Sequence, residues 1–106
     1  MRRAVTVRSY YRPGRLVPRS EQGLRARSIR LAAGAVMPWH STGGREELLL
    51  VLEGRVRLEV RASGGRVRPR MVREGSCAFL PVRTPHCVVN PSRRAVRYVY
   101  VTGMGR

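Results

Sequence analysis

The feature that most constrains this chain is a period of two. From Arg55 to Arg61, Val56, Leu58 and Val60 alternate with Arg55, Arg57, Glu59 and Arg61. Successive side chains leave a pleated strand on opposite sides, so this pattern makes one apolar face and one wet face. It breaks at Ser63-Gly64-Gly65 and resumes over 67–73, which predicts a hairpin. Pro69 falls in the second arm and has no N–H to donate, so that arm belongs at a sheet edge or a bulge. Further strands are expected over 4–7, 26–32, 47–52, 76–80, 87–89 and 96–102. Gly34, Gly43-Gly44, Gly54, Gly75, Pro81, Pro85 and Pro91 separate them. No segment repeats apolar residues at i, i+3, i+4 and i+7 between caps, so helices are not expected. Many short strands with this punctuation predict an all-β fold, a small antiparallel sandwich or barrel. Nothing resembling a linker or a repeat divides the 106 residues, which read as one domain over 1–106.

Leu48, Leu49, Leu50, Val51 and Leu52 interrupt the alternation, being apolar on both faces. A strand of this kind is covered on both sides. In so small a chain the second cover is expected to be another subunit, which makes a homodimer the expected assembly.

Composition removes several chemistries. All 22 basic residues are Arg, and the chain has neither Lys nor Asp. A P-loop lysine, a Schiff-base lysine, an aspartic dyad and a Ser-His-Asp triad are therefore excluded. Two His and six acidic residues, all Glu, remain for acid–base work or ligation. The net charge of +16 is spread from Arg2 to Arg106 without a block. It reads as compositional drift more than as a dedicated nucleic-acid surface, and predicts only weak, salt-sensitive adhesion to polyanions. No apolar run is long enough to span a bilayer or to form a signal peptide, so a cytoplasmic address without membrane contact is expected. Cys77 and Cys87 are then expected to be reduced, buried small hydrophobes.

Two stretches carry candidate chemistry. Over 34–54, Gly34, His40, Glu47 and Gly54 stand at fixed intervals; over 75–90, Gly75, Pro81, His86 and Asn90 do so. These stretches resemble the paired motifs of the cupin superfamily, with the expected hairpin between them. Thr42 stands where the first motif has its second His, and Arg83 where the second motif has its middle Gly. The resemblance implies a jelly roll, or double-stranded β-helix, of the small single-domain metal-binding type (Cupin_2-like), holding one divalent transition metal. It also implies that His40, Glu47 and His86 are the ligands. Two imidazoles and a carboxylate form a 2-His-1-carboxylate set that suits Fe and leaves positions open; Zn, Mn, Ni, Co and Cu also accept such donors. Glu46 competes with Glu47 in spacing to the preceding His. Alternation puts Glu47 with Leu49 and Val51, and Glu46 on the opposite face. A hydroxyl is a weak ligand, so Thr42 implies a lost protein donor with water in its place.

Tyr98 and Tyr100 share one face of their strand and are candidates to line a substrate site, with core packing as the alternative. Phe79 and Arg83 are further candidates, Arg83 for an anionic group; Met37 and Trp39 either line the mouth or pack the core. Cys87 follows His86 and is expected to point away from the metal face. The expected function is a metal-binding cupin that binds or transforms a small oxygenated molecule by dioxygenase- or isomerase-type chemistry. The alternative is a non-catalytic small-molecule-binding cupin with a degraded metal site, and, behind it, a basic protein associated with nucleic acid. No independent catalytic residue stands out.

Overall fold

The structure is a computed structural model that describes residues 5–19, 21 and 23–105. Among the described residues, nine strands form two antiparallel sheets: β1 (Gly14–Arg15), β2 (Leu24–Leu31), β3 (Val36–Ser41), β4 (Arg45–Glu53), β5 (Arg55–Arg61), β6 (Val67–Arg73), β7 (Cys77–Leu80), β8 (Pro85–Val89) and β9 (Val96–Met104). One sheet has the order β1-β2-β9-β4-β7 and the other β3-β8-β5-β6. The fold is the expected all-β jelly roll. Among the described residues no helix is long and apolar enough to cross a membrane.

Alternation decides which side chains meet between the sheets. Leu49 and Val51 of β4, Val56 and Leu58 of β5, Leu80, Val88, Val96 and Tyr98 are buried there and form the core. The hairpin joins β5 to β6 in the register Glu59↔Pro69, and β6 is an edge strand, where the missing N–H of Pro69 is tolerated. At Gly54 the chain turns from β4 into β5 with φ +79°, and a Cβ would stand 2.7 Å from Val96 Cγ1. Only glycine meets both conditions.

The motif residue Asn90 holds two elements together. It is fully buried, and its amide donates to the carbonyls of Leu31 (3.0 Å), Ala32 (3.0 Å) and Arg94 (2.7 Å). Its oxygen accepts from the Ser92 N–H and hydroxyl. The end of β2 is thereby fixed to the turn that follows β8.

The structure corrects three expectations. The strand expected over 4–7 does not form at 5–7, where Val5 and Val7 are 91% and 93% exposed; residue 4 lies outside the described residues. Alternation supplies a face, but a strand also needs a neighbour for its backbone groups. Second, β3 was not anticipated, because Pro38 and the mostly exposed surface from Val36 to Ser41 hide its periodicity. Two-residue β1 was also missed. Third, Cys87 is buried as expected, but Cys77 is exposed, lying on the outer face of edge strand β7 opposite Leu50. Both thiols are free.

Candidate metal centre

The two sheets bring three distant residues together. On the smaller sheet, His40 of β3 pairs directly with His86 of β8, their ring centroids 4.3 Å apart. The β3 register shifts between Met37 and His40, a bulge at Pro38 that re-aims the strand just before the histidine. On the larger sheet, Glu47 of β4 is buried beside Thr102 of β9. One donor atom from each of His40, Glu47 and His86 lies within 4.8 Å of the other two. Glu46 is exposed on the far face, the side on which alternation puts it.

Backbone carbonyls fix both imidazole tautomers. His40 Nδ1 lies 2.8 Å from the Pro38 carbonyl, and His86 Nδ1 lies 2.9 Å from the Thr84 carbonyl. A carbonyl only accepts, so each Nδ1 carries the proton and each neutral ring keeps its lone pair on Nε2. Metal-binding histidines are oriented by such bonds. His86 Nε2 is buried without a hydrogen-bond partner among the described residues. Leaving a buried polar atom unpaired costs about 1–3 kcal/mol. Glu47 Oε2 stands 3.7 Å from that nitrogen, too far for a hydrogen bond. A cation between them would satisfy both, and the N,N,O donor set suits a divalent transition ion.

Burial governs the protonation of the group. Desolvation pushes the Glu47 carboxyl above its ordinary range, opposed by the nearby His40. Desolvation likewise holds His86 below the usual imidazole range; the Thr84 carbonyl opposes this and His40 adds to it. Burial therefore favours the neutral form of His86, the form that ligates.

Thr42 does not offer a ligand. Its hydroxyl donates to the Pro81 carbonyl (2.7 Å) and accepts from the Thr84 N–H (3.0 Å). It fastens the turn between β3 and β4 to the loop that leads into β8 and His86. Arg83, in that loop, has φ +53°, a left-handed conformation that glycine adopts without strain. The departure from the motif at 83 is thus a substitution on a backbone shaped for glycine.

The three residues open into a cavity of about 820 Å³. Tyr98, Tyr100, Met37 and Thr102 line it, as do Arg15, Arg25, Arg27 and Arg45. Tyr98 is buried, and desolvation, then Glu47 and Tyr100, push its hydroxyl upward, so it stays protonated. Phe79 and Arg83 are not among the lining residues. Phe79 is 61% exposed on the outer face of β7, and Arg83 is exposed on its loop. Trp39 is also largely exposed, with the Arg61 guanidinium 5.2 Å from its ring centre. Cys87 points away from the three residues toward Glu59, as alternation required. The arginines were missed. Their signal was present in β2, where positions 25 and 27 share a face with Ile29 and Leu31.

Two antiparallel sheets closed over an inward His-Glu-His group define a class of small β-barrels with a polar site inside. The chain matches the model of the Cupin domain family (Cupin_2) over residues 27–102, and it belongs to that family. Solved structures share the fold at low identity. An oxalate oxidase is 21% identical with a TM-score of 0.72, the match covering 77% of this chain and 42% of that one. The cupin domain of Schizosaccharomyces pombe Cnp3 is 18% identical with a TM-score of 0.75, covering 87% and 63%. An oxalate decarboxylase is 23% identical with a TM-score of 0.70, covering 78% and 22%. The chain thus spans less than two thirds of each of these structures. No curated protein sequence matches it.

Proposed function

We propose that this chain is a metal-dependent cupin that binds or transforms a small oxygenated molecule, with one divalent transition ion held by His40, Glu47 and His86. The observation that carries this reading is the buried, unpartnered Nε2 of His86 facing Glu47 and His40. When bound, the ion would supply Lewis-acid or oxygen-activating chemistry at the positions the protein leaves open. The chain's own residues hold and shield it. The Pro38 and Thr84 carbonyls accept from Nδ1, which in the neutral tautomer leaves each Nε2 lone pair free for a metal. Tyr98 and Tyr100 offer hydroxyls to a ligand in the cavity. An oxalate oxidase and an oxalate decarboxylase share the fold, in keeping with chemistry on a small oxygenated molecule; the dioxygenase- or isomerase-type reading rests on the motif resemblance.

Elemental analysis of protein purified without a His tag tests the reading. About one equivalent of a transition metal per chain is expected. Less than about a tenth of an equivalent, even after incubation with Fe, Mn, Ni, Co, Cu or Zn salts, would overturn it.

A second copy of the chain is proposed to cover the outer face of the larger sheet. Phe79, Leu48 and Val101 lie in one cross-strand row there, with Phe79 61% and Leu48 38% exposed. An apolar row of this kind is costly in water. Light scattering at micromolar concentration is expected to give twice the chain mass; a monomeric mass would refute the proposal.

A further inference from the structure

The inner face of a jelly roll is normally apolar, and here β1 and β2 turn arginines into it. Antiparallel pairing sets Arg15 of β1 beside Arg27 of β2, and Arg27 beside Tyr100 of β9. The next row runs Arg25, Thr102, Glu47 across β2, β9 and β4. Arg25 therefore stands two strands from Glu47, about 10 Å between backbones. Arg15, Arg25 and Arg27 all line the cavity that holds His40, Glu47 and His86.

Among the described residues no carboxylate pairs with Arg15, Arg25 or Arg27. The cavity's carboxylates are Glu47, beside the histidines, and Glu21, which has an interaction of its own. Two further arginines, Arg19 and Arg45, line the cavity. Arg45 is tied down: it donates to the Thr102 hydroxyl (2.8 Å), the Thr102 carbonyl (3.1 Å) and the Gly23 carbonyl (3.0 Å). Like charges converging on a shared cavity repel one another, and a bound anion offsets that repulsion. The planar guanidinium fork matches an oxyanion through two parallel hydrogen bonds.

We propose that Arg15, Arg25 and Arg27 form an oxyanion subsite, so that the cavity takes a small molecule bearing a carboxylate or phosphate. Its anionic end lies against β1 and β2, and its other end faces His40, Glu47 and His86. The general charge of the chain does not account for this placement. Most of its 22 arginines lie outside this cavity, whereas these three face inward toward it. The orientation of the second end rests on the metal-site reading above; the arginine subsite does not.

The test is calorimetric titration of the full chain with succinate and with inorganic phosphate, using neutral succinamide as control. Salt is kept at about 0.15 M, where the screening length is about 8 Å. At least one of the two anions is expected to bind saturably, and succinamide much more weakly. Arg25→Gln/Arg27→Gln is expected to weaken anion binding at least about tenfold. Arg30→Gln/Arg55→Gln removes the same charge from exposed positions and is expected to change it by less than about twofold. Arg27→Lys keeps the charge without the fork and is expected to fall between; it serves if the double variant fails to fold. Tighter succinate binding identifies carboxylates as the ligand class, and tighter phosphate binding identifies phosphate esters. Equal losses in both double variants, or no saturable binding of either anion, would overturn the proposal. The titration also runs on metal-free protein, where the arginines persist. A chain that takes up no metal but binds the anions refutes the metal reading and leaves this one standing.

Discussion

The two ends of the barrel interior are built from the same strands and differ in almost every other respect. On β2 the inward positions change from Leu31 and Ile29 to Arg27 and Arg25; on β4 they change from Val51 and Leu49 to Glu47; on β9 they change from Val96 and Tyr98 to Tyr100 and Thr102. Paired residues set the levels: β2 and β9 change together between the Ile29–Tyr98 and Arg27–Tyr100 pairs, and β4 changes one pair later, between Leu49 opposite Tyr100 and Glu47 opposite Thr102. One end is close-packed aliphatic core; the other is a cavity of about 820 Å³ lined by arginines, hydroxyls and the His-Glu-His group. Burial of apolar surface at the first end supplies the folding free energy that allows charged and unpartnered groups at the second.

Substitutions separate the two ends. The largest expected loss is at Leu49, which is fully buried: Leu49→Ala should cost about 3 kcal/mol in denaturant unfolding. Metal bound per folded chain should be unchanged. Loss of metal in chains that remain folded would show that the ends are not separable. Asn90→Ala should cost about 2 kcal/mol, since three carbonyls lose their donor. A cost under about 0.5 kcal/mol would deny Asn90 its fastening role.

The smaller effects sharpen the contrast from the other side. Arg83→Gly should stabilise the fold by about 1 kcal/mol, because φ +53° strains any residue with a Cβ. A destabilised variant would mean that the Arg83 side chain contributes more than its backbone costs. Glu47→Gln tests the polar end in metal-free protein. The Glu47 carboxyl is raised by burial, so the folded state binds its proton more tightly than the unfolded state. Stability is then lost as pH rises from the ordinary carboxylate range through the raised value. Metal-free Glu47→Gln should therefore melt above wild type at neutral pH and lose that advantage in acid. A constant difference across pH would contradict this.

The apolar end was the more legible in the sequence. Val56, Leu58 and Val60 announced their strand, and the alternation through Leu49 and Val51 carried Glu47 to the correct face. His40 and His86 were found through motif spacing, since nothing in the periodicity of β3 marks it as a strand. The inward arginines escaped notice because 22 arginines spread along the chain make any two look like solvent charge. The register that puts Arg27 beside Tyr100 is a property of paired strands, and a single strand does not disclose its neighbour. Thr42 reads as a lost donor, and what its hydroxyl does instead is not visible in the sequence. Its motif position points to ligation, while its hydroxyl is engaged by Pro81 and Thr84, which lie about forty residues away.

The account's central claim is that His40, Glu47 and His86 grip one ion together. The most direct measurement is the melting temperature of metal-free protein titrated with Mn²⁺, Ni²⁺ or Zn²⁺, for wild type and for His86→Ala. An ion that binds only the folded state at about 100 times its dissociation constant stabilises by about 2.7 kcal/mol. The account predicts a saturable rise in wild type that His86→Ala abolishes. An equal rise in both proteins, or none in wild type with any of the three ions, would contradict it.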